Sequence, residues 1–176
     1  MRSSDAMFSI IIFGDVNCGK TSLIQRFLTN SFKEDIKLSV GVNFEVKTIN
    51  VGNKNVKLQI WDFGMGSKGI FSTYARGAKG GIFMYDITNY FSLAHIDEWL
   101  GIIRKEKRAE DPFPIIMVGG KADLEDKREV SVKDGMKIAK LKGMDGFIEC
   151  SSKLGDNVEK TFEALTRLMM LLHQYS

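Results

Sequence analysis

Residues 8–21 read Phe8-Ser9-Ile10-Ile11-Ile12-Phe13-Gly14-Asp15-Val16-Asn17-Cys18-Gly19-Lys20-Thr21, and this stretch decides the fold. Residues 8–13 are a nearly unbroken apolar run of the length of a strand buried on both faces. Residues 14–21 fit the pattern G-x-x-x-x-G-K-S/T without a mismatch. Residues 20–30 then carry Leu23, Ile24, Phe27 and Leu28 on one side of a helix. Strand, glycine loop and helix, in that order, are the context in which this pattern binds phosphate. The glycines let successive backbone N–H groups curl around an anion. Lys20 can neutralise the β- and γ-phosphates, the Thr21 hydroxyl can ligate Mg²⁺, and the helix N-terminus adds partial positive charge. A chance match in a chain this long is on the order of one in a hundred by residue frequency, and the flanking elements reduce it further. The loop assigns Asp15, Val16, Asn17, Cys18, Gly19, Lys20, Thr21 and Ser22 to nucleotide binding, with Cys18 as a small spacer rather than a redox site.

Outward from this loop, short apolar runs alternate with helical patterns. Residues 43–51 alternate as a half-exposed strand. Gly52-Asn53 is a turn, and residues 56–61 return as the second strand of an antiparallel hairpin. Strands follow at residues 82–86, 114–118 and 147–150. Helices are expected over residues 91–107, from a Ser131 cap to about residue 141, and from a capping-box-like start at Asp156 and Glu159. The apolar face of that last helix is Val158, Phe162, Leu165, Met169 and Leu172. The pattern predicts an α/β, doubly wound P-loop NTPase fold. Its sheet is six-stranded and mostly parallel, with one antiparallel strand and about five flanking helices. The whole chain, 1–176, reads as one domain with its core at 7–173 and residues 1–6 disordered.

Composition limits the partners. The chain has 176 residues, 44% hydrophobic and 27% charged. Its 25 basic and 22 acidic side chains leave a formal net charge of +3, so charge gives no nucleic-acid footprint. The two cysteines are far apart in sequence and suggest a reducing, cytoplasmic compartment rather than a disulfide framework. The opening MRSSDAM has no apolar signal core, and the closing HQYS has no cysteine for prenylation. The expectation is a monomer whose membrane association is not encoded in this chain, peripheral to membranes only if a tail or partner supplies the attachment. His95 reads as solvent-facing, residues 104–108 (RKEKR) as a solvated helix end, and Met169 and Met170 as core.

Two later segments bear on the base. Gly120-Lys121-Ala122-Asp123 follows the strand at 114–118. A carboxylate there can accept two hydrogen bonds from the N1–H and exocyclic amine of guanine, a pair that adenine does not offer. Asp123 would therefore select guanine, with the Lys121 stem along the base plane, Leu124 beside it, and Ser151, Ser152 and Lys153 supporting from the other side.

With these residues in view, the chain resembles the Ras-like small GTPases, and within them the Rab family, from about residue 8 to 172. The matching stretches are GDVNCGKT (14–21), VGVNF (40–44), WD (61–62), YARGAKGGIFMYDIT (74–88), GKADLEDKREVS (120–131) and ECSSK (149–153). The resemblance implies a switch that binds GTP or GDP with Mg²⁺ and meets effector and regulator proteins through switch I (32–40) and switch II (63–75). It implies Phe32 against the base edge, Ser39 in the place of the threonine that binds Mg²⁺ and the γ-phosphate, and Asp62 holding Mg²⁺ through water. Lys20, Ser39 and a switch II glycine, Gly64 or Gly66, would serve hydrolysis. Phe44, Trp61 and Tyr74 would form an aromatic effector patch, with half-buried sheet packing as the alternative.

The chain departs from the family twice. Where the family reads W-D-T-A-G-Q, this sequence reads Trp61-Asp62-Phe63-Gly64-Met65-Gly66. The distance to residues 76–78 is about two residues short, and no glutamine lies in the segment. That glutamine orients the attacking water, so slow intrinsic hydrolysis is expected, with Ser67 or Lys68 as weak substitutes. Gly120 stands where the family has an asparagine that ties the base loop to the phosphate loop. Its loss should cost about 1–2 kcal/mol, roughly tenfold in affinity. A constitutively nucleotide-loaded binding module is the alternative. A P-loop kinase or ATPase would need an acceptor site and an arginine-rich lid, and neither shows.

Overall fold

The computed structural model describes residues 4–173. Six strands form one sheet in the order β2-β3-β1-β4-β5-β6: β1 (Ala6–Phe13), β2 (Val42–Val51), β3 (Lys54–Phe63), β4 (Gly80–Asp86), β5 (Ile115–Gly120) and β6 (Gly146–Glu149). All neighbours run parallel except β2 against β3, as the sequence predicts. Among the described residues there are five α-helices: α1 (Lys20–Thr29), α2 (Phe71–Gly77), α3 (Ile96–Glu106), α4 (Val132–Leu141) and α5 (Val158–Leu172). None is long and apolar enough to cross a membrane.

The apolar run of β1 explains the double winding. Phe8, Ile10 and Ile12 face one way, into a core with Leu23 and Phe27 of α1 and Phe162 and Leu165 of α5. Ile11 and Phe13 face the other way, into a core with Phe71 of α2 and Trp99, Leu100 and Ile103 of α3. A central strand buried on both faces has no polar face to show, hence the continuous hydrophobic run. Phe27 and Phe162 stack with ring centroids 3.8 Å apart and so fasten α1 to α5.

Several expectations need correction. The disorder expected of residues 1–6 falls partly outside the described residues. Of those described, Ala6 already pairs with Val56 in β1, and the Asp5 N–H donates to the Asn55 carbonyl at 2.8 Å. The helix expected over 91–107 is split: a short 3₁₀ turn, Tyr90–Leu93, precedes α3. The Ser92 hydroxyl accepts from the Asp86 N–H at 2.9 Å, which pins this turn to the end of β4. No capping box opens α5. The residue before it is Asn157, at φ 61°, whose side-chain amide donates instead to the Glu149 carbonyl at 2.8 Å. A capping box needs an extended backbone at that position, and the turn closing back on β6 supplies a left-handed one. Leu172 lies at the exposed end of α5 rather than on its buried face. Ser131 caps α4 as expected, accepting from the Asp134 N–H at 3.0 Å.

The edge strand β2 shows which of its faces is covered. Phe44, Val46 and Thr48 are exposed, whereas Glu45 and Lys47 are half-buried. Lys47 lays its stem inward, with its ammonium 4.0 Å from the Phe27 ring centre and bonded to the Phe27 carbonyl. The outer side of β2 and β3 therefore carries Phe44, Val46 and Trp61 beside the polar Thr48, Gln59 and Lys57.

Candidate functional site

The carboxyl ends of β1, β3, β5 and β6 open into one cleft of about 450 Å³, which is where an open α/β sheet places its ligands. At its centre, residues 14–19 join β1 to α1. Gly14 (φ +139°) passes so close to Met84 that a Cβ would collide with the Met84 carbonyl. Gly19 enters α1 in a left-handed conformation. No side chain caps α1, and its first turn holds no acidic residue, so its N–H groups stand ready for an external anion. Lys20, only 7% exposed, folds its ammonium over the loop onto the carbonyls of Gly14 (3.0 Å) and Asp15 (2.8 Å).

Not every residue of the loop faces the cleft. Val16, Asn17, Gly19, Lys20, Thr21 and Ser22 line it. Cys18 is buried beneath, its thiol donating to the Asp15 carbonyl at 2.8 Å, and burial pushes that thiol above its ordinary pKa. This agrees with a spacer role. Asp15 turns to the opposite side of the loop. Its Oδ2 lies 2.7 Å from His95 Nδ1, and Trp99 Nε1 approaches its Oδ1 at 3.5 Å. His95 is thus not simply solvent-facing: it fastens the start of α3 to the phosphate loop. Sequence periodicity missed this because the contact spans 80 residues.

Next to Lys20, three oxygens converge. The Thr21 hydroxyl donates to Asp62 Oδ2 at 2.6 Å and lies 2.5 Å from the Ser39 hydroxyl. Asp62 is 2% exposed, and its Oδ1 has no hydrogen-bond partner among the described residues. Burial raises the Asp62 carboxyl above its ordinary pKa, with the Thr21 hydrogen bond and the charge of Lys20 pulling the other way. An orphaned carboxylate oxygen beside two hydroxyls fits a hard divalent cation. The described residues hold no cluster of three or more His, Cys, Asp or Glu side chains. A cation here would therefore draw its remaining ligands from phosphate oxygens and water, as Mg²⁺ commonly does.

The far end of the cleft is built from β5 and β6. Asp123 lines it, one carboxylate oxygen accepting from the Ser151 hydroxyl at 2.7 Å. Ser151 is itself buried behind the wall and orients Asp123 rather than lining the cleft. Leu124, Ser152, Lys153 and, from the other side, Phe32 complete this end. Lys121, at φ +62°, spans back to the phosphate loop, donating to the Asn17 carbonyl (2.8 Å) and to Asp86 Oδ2 (2.6 Å). Arg26 of α1 buttresses the loop after β6 through the Ser152 carbonyl at 2.6 Å, a role without a sequence signal.

The segment after β3 closes over the hydroxyl cluster. Gly64 approaches residue 39 so tightly that a Cβ would collide with the Ser39 carbonyl, whereas Gly66 (φ +79°) has open space around it. Gly64 lines the cleft and Gly66 does not. The Gly64 N–H donates to the Gly41 carbonyl, and the Met65 N–H to the Ser39 carbonyl, both at 2.8 Å. Ser67 is turned away, its hydroxyl bonded to the Gly64 carbonyl at 2.6 Å. Lys68 pairs with Glu98 and sits 5.2 Å from the Trp99 ring centre. Gln25 lies on α1, Gln59 lies on β3, and Gln174 falls outside the described residues. Neither Gln25 nor Gln59 lines the cleft.

Phe44, Trp61 and Tyr74 form one continuous row across β2, β3 and α2. Their ring centres are 4.5 and 4.7 Å apart, and the Trp61 indole N–H donates to the Ser9 hydroxyl at 3.0 Å. The RKEKR segment is more engaged than a solvated helix end. Lys107 bonds the carbonyls of Arg76 (3.0 Å) and Ala78 (2.5 Å), and burial lowers its pKa.

A glycine loop feeding an uncapped helix, a lysine folded over it, a hydroxyl–carboxylate cluster and a facing aspartate loop define a P-loop protein with the G-domain arrangement of its sheet. The family model described as "Ras family" matches residues 9–171. The chain belongs to the Ras family of small GTPases. Among curated relatives, the Ras-related protein Rab-1 of Theileria parva is 39% identical over 172 residues, spanning 96% of this chain and 77% of its own. The Ras-related protein Rab-3A of Homo sapiens is 40% identical over 166 residues, 93% and 74% of the two chains. The GTP-binding protein Rab-3D of Rattus norvegicus is 38% identical over 170 residues, 96% and 76%. The family implies guanine-nucleotide binding and a place among the GTP-dependent switches.

Proposed function

We propose that this chain is a Rab-like switch that holds GTP or GDP with Mg²⁺ in the cleft and hydrolyses GTP slowly. The observation that carries the reading is the arrangement of one cleft. Lys20, the open N-terminus of α1 and the Thr21–Ser39–Asp62 cluster stand at one end, and Asp123, held by Ser151, stands at the other. Phosphates sit on the N–H groups of residues 14–20, and Lys20 leaves its loop carbonyls to meet the β- and γ-oxygens. Thr21, Ser39 and Asp62 would hold Mg²⁺, Asp62 through water. When bound, the ion offsets phosphate charge as it develops. Asp123 accepts from guanine, and Phe32 and Lys121 flank the ring.

The side chains around the cleft support the reading of slow hydrolysis. Ser67 and Lys68 are engaged elsewhere, and neither Gln25 nor Gln59 lines it. Lys20 and the loop amides can polarise the phosphates, but among the described residues no glutamine lines the cleft to aim a water at them. The γ-phosphate contact falls to Gly64, whose N–H would exchange the Gly41 carbonyl for phosphate oxygen. Phe44, Trp61 and Tyr74, together with the exposed Leu38, Val40 and Met65 of the switch segments, offer the apolar surface that a partner reads in the GTP state.

The mutual pairing of residues 39–41 with 64–65 favours a second reading, a nucleotide-loaded module whose switch segments stay locked. Two measurements test the pair. Nucleotide extracted from gently purified protein should be guanine, and adenine or none would overturn the site. Affinity for a captured partner should differ between GDP and a non-hydrolysable GTP analogue; equal affinity would favour the locked module.

A further inference from the structure

We infer that Met84 and Gly120 are a coupled pair in which the methionine's terminal methyl occupies the gap between base loop and phosphate loop and sets nucleotide affinity. This inference rests on the cleft being a guanine-nucleotide site. Met84 belongs to β4, whose neighbour β5 ends at Gly120. It is 1% exposed, yet it lines the cleft. Its backbone packs against Gly14, and its Cε reaches within 3.4 Å of a Cβ built on Gly19. A Cβ built on Gly120 would collide with that same Cε and lie 3.1 Å from the Cys18 carbonyl. A side chain at position 120 would therefore meet the Met84 methyl where it now lies, and the methionine would have to swing that methyl out of the junction to make room.

The exchange changes how the loops are joined. A polar side chain at 120 would tie them by hydrogen bonds. Here the polar tie that remains nearby is Lys121, through the Asn17 carbonyl, and Met84 is an apolar spacer beneath it. An unbranched thioether suits an irregular gap of this kind. Placing an amide at 120 while the methyl remains would force the methyl aside and leave polar atoms against carbon. Met84 is therefore an affinity-determining residue of the site, and the Gly120 departure is compensated from a strand 36 positions earlier.

The test is a double-mutant cycle of wild type, Gly120→Asn, Met84→Val and the double variant. It reads the dissociation constant of a fluorescent GDP in Mg²⁺ and the thermal midpoint of the protein as purified. Valine keeps the strand and removes the reaching methyl. Gly120→Asn alone should bind no tighter than wild type. In the Met84→Val background the same change should tighten binding, with a coupling of about tenfold. The same factor in both backgrounds would overturn the coupling. If wild type binds no guanine nucleotide, the site reading fails, and the midpoints decide the pair. Gly120→Asn should lower the midpoint more with Met84 present than with Met84→Val, and equal shifts would refute it.

Discussion

A single carboxylate carries base choice in this account. Ser151 holds one oxygen of Asp123, which fixes the rotamer before any ligand arrives. Asp123→Asn would replace two charge-assisted acceptors with an amide that presents a donor to guanine's amine. GTP affinity, measured by fluorescent-nucleotide titration, should fall by about 10–100-fold, and an unchanged value would remove Asp123 from base recognition. Much of this level was legible in the sequence, because the phosphate-loop and base-loop residues act through local backbone and through fixed positions at strand ends. What was not legible came from tertiary reach. His95 looked solvent-facing on its own helix and meets Asp15. Lys107 looked like part of a charged helix end and binds carbonyls at the end of α2. Met84 looked like one more buried strand residue, and only its side-chain length brings it to Gly120.

Among the elements, the connections matter more than the helices and strands themselves. Residues 39–41 and 64–65 are laced through backbone hydrogen bonds, and the close approach at Gly64 makes that lacing possible. Gly64→Ala should part them and speed limited proteolysis within residues 32–41. Gly69→Ala, where the added methyl meets open space, should leave the rate unchanged. Equal rates for the two variants would contradict the interlock. The loop after β5 is fastened by Arg128, which pairs with both oxygens of Glu149 at 2.7 and 2.8 Å and also binds Glu125. These partners raise its already high pKa further. Arg128→Ala should cost about 2–3 kcal/mol in urea unfolding, and Arg128→Lys should recover only part of it. A loss under about 0.5 kcal/mol would class the pair with ordinary surface bridges. Boundaries at this scale were read least well where side chains far apart in sequence set them. Ser92 bonded to the end of β4 breaks the helix expected from 91, and Asn157 bonded to Glu149 replaces the expected cap of α5.

Across the whole molecule, the parallel strands direct their carboxyl ends to one rim, so loops distant in sequence meet in one cleft. The doubly wound order was legible because the β1 run is apolar on both faces and the Gly52-Asn53 turn marks the one antiparallel pair. In the proposed reading the rim binds and polarises a guanine nucleotide through residues 14–21, 62 and 123, and among the described residues no glutamine lines the cleft to orient water. Single-turnover hydrolysis of GTP loaded with Mg²⁺ onto the purified protein, run beside a glutamine-bearing Rab relative, tests that claim most directly. The GTP should stay bound and be hydrolysed slower than on that relative by about an order of magnitude or more. Hydrolysis at the relative's rate would contradict it.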